Sequence, residues 1–235
     1  MIVVAFAVPH EGELLAKQLS SARPLPGKLL GLQGFLFDRA VAVVYVGMGK
    51  KSAQETMERV LEILRPRCVI VSGYGGALTH HWGVGDVAVA KNFSTPEWLR
   101  QIGRSEAWRE AVFYCSDTIL ATPEAREAVH REYGAQIVEM ETEPIYRLCK
   151  KHGVPILAVR VVSDTSDDVL PIGALERAFV PKWTAGRVVR FLFYLMTHWG
   201  EVGPFMRFVG HLHEARRALT QFLQVVLQRY VPVDS

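Results

Sequence analysis

Short runs that are apolar almost throughout alternate along this chain with amphipathic helical patterns, and that alternation constrains the fold more than any other feature. Ile2-Val3-Val4-Ala5-Phe6-Ala7-Val8, Ala40-Val41-Ala42-Val43-Val44-Tyr45-Val46, Cys68-Val69-Ile70-Val71-Ser72, Val87-Ala88-Val89-Ala90 and Pro155-Ile156-Leu157-Ala158-Val159-Arg160-Val161-Val162 lack the polar-apolar alternation of a strand solvated on one side. They read as strands covered on both faces, as in the middle of a parallel sheet. Between them lie helical stripes: Leu14, Leu15 and Leu19; Ala53, Met57, Val60, Leu61 and Leu64; Ala128, Val129 and Tyr133; Ile145 and Leu148. Pro66, Gly134 and Gly153 close the last three of these helices. Gly34-Phe35-Leu36-Phe37 pairs with the run that begins at Ala40, residues 23–27 read as a loop, and residues 92–108 carry no clear pattern. The order predicts an α/β fold in three layers: a mainly parallel mixed sheet flanked by helices.

A chain of 235 residues with 49% apolar and 22% charged residues is ordinary for one large globular domain. The net charge of +3 is too small to argue for nucleic acid. Its distribution says more: from Lys182 onward seven Lys and Arg stand against three acids, so this tail carries +4 and the remainder −1. We therefore divide the chain at residues 1–180 and 181–235, the second part a basic, apolar helical extension. Cys68, Cys115 and Cys149 are odd in number and lack close pairs, which favours buried thiols in a reducing cytoplasm. Met1 leads straight into the first strand with no basic region or cleavage site ahead of it, so no signal peptide is expected.

Candidate functional residues gather where strands give way to turns, the edge at which open α/β sheets bind ligands. Glu11 follows the first strand in Pro9-His10-Glu11-Gly12-Glu13, where a helix dipole alone would favour an acid. Gly73-Tyr74-Gly75-Gly76-Ala77 follows the third of the apolar runs, and three glycines in four positions let a backbone approach a ligand closely. Val46-Gly47-Met48-Gly49-Lys50 lacks both standard phosphate-loop patterns and reads as a tight turn. Val138-Glu139-Met140-Glu141 and Arg160-Val161-Val162-Ser163-Asp164 set acids at the ends of apolar runs, where a carboxylate is either a structural ion pair or an acid/base group.

Val-Gly-Met-Gly-Lys (46–50), Ser-Gly-Tyr-Gly-Gly-Ala-Leu (72–78), Val-Gly-Asp (84–86), Val-Glu-Met-Glu (138–141) and Arg-Val-Val-Ser-Asp (160–164) together resemble the nucleoside phosphorylase/nucleosidase superfamily, on its methylthioadenosine/adenosylhomocysteine nucleosidase side. The resemblance runs in order to about residue 168. It implies cleavage of the N-ribosidic bond of a purine nucleoside without metal or organic cofactor. Asp164 then matches the acid that meets N7 of the leaving purine, supported by Ser163, and as an acid it needs a raised pKa. Glu141 matches the acceptor of the ribose hydroxyls, with Met140 against the sugar. Glu11 positions or deprotonates water, helped by Arg160. Thr118 and Ile119 fall where the family lines its base pocket, and Tyr74, Gly75 and Gly76 where it lines the site.

Two departures from the family's pattern bear on the reaction. Val71 precedes the glycine stretch and no Arg lies between residues 7 and 22, so the cations that hold phosphate are missing and hydrolysis is favoured over phosphorolysis. Tyr74 stands where the nucleosidases carry a small hydroxyl residue.

Asp167-Asp168-Val169-Leu170-Pro171, Gly203-Pro204 and Ala215-Arg216-Arg217-Ala218-Leu219 resemble the hopanoid-associated branch, which acts on adenosylhopane, a lipid nucleoside. A basic, apolar tail over residues 182–230 suits peripheral contact with an anionic inner-membrane surface, and equally suits helices packed on the domain or on a second subunit. No stretch reaches the roughly 18 apolar residues of a span. The expected activity is adenine release from a 5′-substituted adenosine by a cytoplasmic homo-oligomer, with small purine nucleosides as partners. Competing readings are methylthioadenosine/adenosylhomocysteine hydrolysis, purine nucleoside phosphorolysis, and a catalytically silent nucleoside-binding or membrane-adaptor protein on the same fold.

Overall fold

The structure, a computed structural model, describes residues 1–103, 105–178, 191, 193–194 and 196–230. Lys182, Trp183, the apolar run at 188–190 and the boundary drawn at residue 180 lie outside the described residues. The strands are β1 (Ile2–Phe6), β2 (Ser20–Pro24), β3 (Gly31–Leu36), β4 (Arg39–Tyr45), β5 (Cys68–Ala77), β6 (Val87–Ala90), β7 (Arg109–Ala111), β8 (Phe113–Cys115), β9 (Ile137–Glu139) and β10 (Ile156–Asp164). The helices are α1 (Pro9–Ala16), α2 (Lys50–Leu64), α3 (Pro96–Ile102), α4 (Pro123–Tyr133), α5 (Thr142–Lys151), α6 (Ile172–Ala178) and α7 (Trp199–Arg229).

All these strands join one mixed sheet in the order β2-β3-β4-β1-β5-β10-β6-β7, with β9 antiparallel to the end of β5 and β8 parallel to β9. Its centre is parallel: β4, β1, β5 and β10 run side by side, Val4 opposite both Val43 and Ile70, and Leu157 opposite Ile70. These are the apolar runs, and β1 and β10 are buried at every position because both faces are covered. On one face Val3, Ala5, Val69 and Val71 pack on Ala53, Met57 and Val60 of α2 and Ile145 and Cys149 of α5. On the other, Val4, Ile70, Val159 and Val161 pack on Leu15 of α1 and on α7. The three-layer arrangement expected from the alternation is the one observed.

Local chemistry sets the ends of the helices near the site. Pro9 opens α1 at a position whose N–H is unpaired in any helix. In α4 the Thr122 hydroxyl accepts from the Ala125 N–H at 3.3 Å. Gly134 closes the same helix at φ 63°. α2 ends on Arg65, itself in the left-handed region at φ 45°, ahead of Pro66.

Three local expectations change. The glycine stretch 73–77 is the continuation of β5, because β10 pairs with it through Gly76. Residues 92–108 include α3, opened by Pro96 and held inward by Trp98 and Ile102. Part of the loop at 23–27 is edge strand β2, all of whose residues are exposed, so it left no hydrophobic signature.

The tail is anchored by its last helix. Ala215, Leu219, Phe222, Leu223, Val226 and Leu227 recur at helical spacing and are buried against β10 and α1. Trp108 meets Phe222 edge-on at 5.3 Å between ring centres. The N-terminal part of α7 packs Phe205 on Ala174 and Leu175 of α6. Among the described residues no helix is long and apolar enough to cross a membrane.

Candidate functional site

Glu11 reaches the sheet edge from the first turn of α1. Its Oε2 accepts the Val8 N–H at 3.0 Å and its Oε1 accepts the Tyr74 N–H at 3.0 Å. A Cβ on residue 73 would lie 2.6 Å from Oε1, so only glycine lets β5 pass this carboxylate. Burial pushes the Glu11 pKa up, with the two N–H groups and Arg160 opposing.

Arg160, 2% exposed on β10, is the cation at the centre of three acids. Its Nη2 donates to Glu139 Oε2 at 2.6 Å and to the Thr142 hydroxyl at 3.0 Å, and stands 3.6 Å from Glu141 Oε2. Its Nε is buried without a partner. Glu139 Oε2 also accepts the Glu141 and Thr142 N–H groups at 2.9 and 2.8 Å, which fastens the start of α5. Glu139 is thus spent on structure, while Glu141 turns its Oε1 to the Gly49 N–H at 2.9 Å. Gly49 has φ 81°, where a side chain is strained. The glycine turn at 46–50 therefore delivers an N–H to the candidate ribose acceptor. Its sequence suggested only a tight turn; the donor became visible when the starts of α2 and α5 met.

Burial, followed by repulsion from Glu139 and Glu11, raises the pKa of Glu141 to about 7 against the pull of Arg160 and Gly49. An acid whose folded pKa lies above its unfolded value contributes stability that is complete below the unfolded value near 4.5 and lost as pH rises through about 7. The melting temperature is therefore expected to fall between pH 5 and 8. Glu141→Gln should flatten that decline, with Glu11 supplying what remains. Parallel melting curves for the two proteins would refute the assignment.

Asp164 ends β10, one step past a register shift between Val162 and Asp164. Its Oδ1 accepts the Ser163 hydroxyl at 2.6 Å, and its Oδ2 accepts Arg126 Nη2 of α4 at 2.5 Å. Gly76 is needed here as well, since a Cβ would sit 2.7 Å from Oδ2. The sequence reading has Asp164 holding a proton. In the structure its carboxyl lies between a buried guanidinium and a hydroxyl donor. Arg126 was missed; the available signal was an arginine three residues before Val129, on the inward stripe of an otherwise polar helix.

The remaining candidates divide. Gly75 backs onto Arg160, its Cβ position 3.2 Å from the Arg160 Cβ. Tyr74 lends Glu11 its backbone N–H, but side chains alternate along a strand and its ring points to the opposite face from Gly73 and Gly75. There it packs on the main core, and its hydroxyl meets His10 Nδ1 at 3.0 Å. The Tyr74 ring therefore stays out of the face on which Gly73 meets Glu11 and Gly75 meets Arg160. Met140 is half-buried between Glu139 and Glu141. Thr118 and Ile119 are exposed on the loop after β8, held by Ser116, whose hydroxyl donates to the Thr118 carbonyl at 2.7 Å. They join neither cluster. All three cysteines are buried thiols, and among the described residues no group of three or more His, Cys, Asp and Glu side chains is arranged to hold a metal ion.

A family model described as the phosphorylase superfamily matches residues 1–107 and 93–185. The chain is 25% identical over 215 residues to the 5′-methylthioadenosine/S-adenosylhomocysteine nucleosidase of Staphylococcus aureus (strain bovine RF122 / ET3-1), covering 77% of this chain and 94% of that one. Among solved structures, the 5′-methylthioadenosine/S-adenosylhomocysteine nucleosidase of Neisseria meningitidis in complex with methylthio-immucillin-A superimposes with a TM-score of 0.73 at 17% identity, covering 97% of this chain and 98% of that one. Futalosine hydrolase of Helicobacter pylori strain 26695 superimposes with a TM-score of 0.67 at 19% identity, covering 96% of each. At these identities the two superpositions establish the fold.

Proposed function

We propose that this chain, which belongs to the phosphorylase superfamily, hydrolyses the N-ribosidic bond of a 5′-substituted adenosine and releases adenine. One observation carries the reading: a buried Glu11, both oxygens already turned by backbone N–H groups, within electrostatic reach of Arg160, whose Nε has no partner. In this reading Glu11 and Arg160 hold a water against C1′. As the bond from C1′ to the purine breaks, its electron pair leaves with the base, the water oxygen bonds to C1′, and its proton passes to Glu11. Glu141 accepts the ribose hydroxyls, strengthening as the sugar gains positive charge, and Met140 packs on the ring. Ser163 and Asp164 meet the base, with Gly76 giving room for the contact. Thr118 and Ile119 border the base from their loop.

Charge supports water over phosphate. Arg160 is already shared between Glu139 and Glu141, and Glu11 adds a third carboxyl, so a phosphate dianion entering here meets three carboxyls around one cation that two of them already engage. Adenine release from 5′-methylthioadenosine is expected to proceed undiminished after phosphate is removed. Strict dependence on phosphate would overturn hydrolysis, and no release of base with or without it would overturn the function.

An amphiphilic 5′ substituent is the second reading, and one surface feature favours it. Trp199, Val202, Met206 and Val209 form a stripe at helical spacing on α7, with Arg207 alongside. Trp199 is 75% and Met206 62% exposed. In the same assay, an adenosylhopane-type nucleoside in anionic vesicles is expected to lose turnover several-fold in a Trp199→Ser, Met206→Ser variant, while 5′-methylthioadenosine does not. Removing the tail would be a poor test, because the last turns of α7 belong to the main core.

A further inference from the structure

We propose that Tyr74 and His10 are positioning residues that form a bracket around Glu11: the backbone of Tyr74 holds the carboxylate, and its phenol holds the residue beside it. The inference rests on the nucleosidase reading, in which Glu11 takes a proton from the attacking water, and it concerns two side chains that take no part in that chemistry. Glu11 draws its donors from two different elements, the Val8 N–H ahead of α1 at 3.0 Å and the Tyr74 N–H of β5 at 3.0 Å. Its aim therefore depends on where the first turn of α1 sits against β5. The same strand residue reaches that turn a second time. The Tyr74 ring leaves β5 on the face that α1 covers, and its oxygen meets Nδ1 of His10, the neighbour of Glu11, at 3.0 Å. One contact would leave the turn free to pivot; two contacts on consecutive residues do not.

The phenol–imidazole bond has a definite sense. Burial, and then the charge of Glu11, pushes the Tyr74 pKa up, so the phenol keeps its proton. Burial, and then Arg216 of α7, pulls the His10 pKa down; His213 adds to that pull and Glu13 of α1 opposes it. Arg216 stands 3.8 Å from Glu13 Oε2, which keeps its charge beside this turn. A neutral imidazole offers Nδ1 as an acceptor, so the phenol donates. Among the groups that oppose the burial of Glu11, the Tyr74 N–H acts most strongly. A slackened bracket lengthens that contact and lets the Glu11 pKa rise further. The helix as a whole has other anchors, since Leu15 lies in the main core and Gly12 rests against the Phe6 ring. Loss of the phenol therefore tilts the first turn and leaves α1 docked.

The test is Tyr74→Phe, which removes one oxygen and keeps the packed ring. With 5′-methylthioadenosine as substrate, kcat is expected to fall about five- to thirtyfold and KM to stay within about twofold, because the base is displaced and not removed. The melting temperature should drop by no more than about 4 °C. The acid limb of the kcat/KM profile should move up by at least about 0.5 in pH, a change that a purely packing role for the ring would not cause. His10→Ala should reproduce the loss of turnover, and the double variant should be no worse than either single one, since both remove the same bond. Turnover of Tyr74→Phe within about twofold of wild type, an unmoved acid limb, or losses that multiply in the double variant would each overturn the proposal. If the wild type releases no base, the nucleosidase reading fails on its own. The bracket is then read from the Glu11 carboxyl itself, by carbon NMR of protein labelled in Glu, its signal assigned by the one missing in Glu11→Gln. A titration midpoint that rises in Tyr74→Phe supports the bracket, and an unchanged midpoint sinks it.

Discussion

Glu11→Gln is expected to lower turnover for adenine release by roughly a hundred- to ten-thousand-fold, the range typical for loss of a general base, with KM changed far less. The carboxylate receives two N–H donors, from Val8 and Tyr74, so its orientation is set before any substrate arrives. A Gln carboxamide has one oxygen for those two donors; its NH2 must oppose the other, and it has little basicity with which to take a proton from water. The decisive pairing is kcat with melting temperature: a large loss of turnover in a protein that still melts cooperatively assigns the group to chemistry. Turnover within about threefold of wild type would remove Glu11 from the mechanism. Because burial raises its pKa, the wild-type rate should also climb with pH as Glu11 and Glu141 ionise, and Glu11→Gln should blunt that climb.

Arg160→Met is expected to be the most destabilising of the site substitutions, by about 3–5 kcal/mol, the cost of leaving buried charge without its partner. Glu139 and Glu141 both depend on this guanidinium, and Glu139 in turn fastens the start of α5 through two N–H groups and the Thr142 hydroxyl. For a chain of this size a loss of that magnitude lowers the melting temperature by about 6–20 °C. Adding Glu139→Gln to Arg160→Met should recover part of it, since one of the two stranded charges goes. Thermal denaturation at pH 7 decides: a drop below about 2 °C would mean that the cluster is solvated enough not to need its cation.

Much of the fold was legible because its cause is local. A parallel strand covered on both faces must be apolar at each position, so the runs at 2–6, 41–44, 69–71 and 156–159 could be placed without coordinates. Edge strand β2, exposed throughout and carrying Arg23 and Pro24, left no such trace. Among the candidate acids, position at strand ends brought Glu11, Glu141 and Asp164 to notice, and resemblance supplied their roles. What escaped were partners distant in sequence: the Gly49 N–H on Glu141 across 92 residues, and Arg126 on Asp164 across 38. Tyr74 was ambiguous for a related reason, since a residue at a site's edge gives the site its backbone or its side chain according to the parity of the strand.

The amino-acid sequence by itself determined the covered parallel core, the rim on which the acids gather and the identity of those acids, because burial pattern and strand period are properties of contiguous residues. Tertiary structure alone decided how deeply each acid is buried, which cation each one shares, and that the last helix completes the core. Those outcomes depend on desolvation and on charges brought within a few ångströms from opposite ends of the chain, and no stretch of sequence contains that distance.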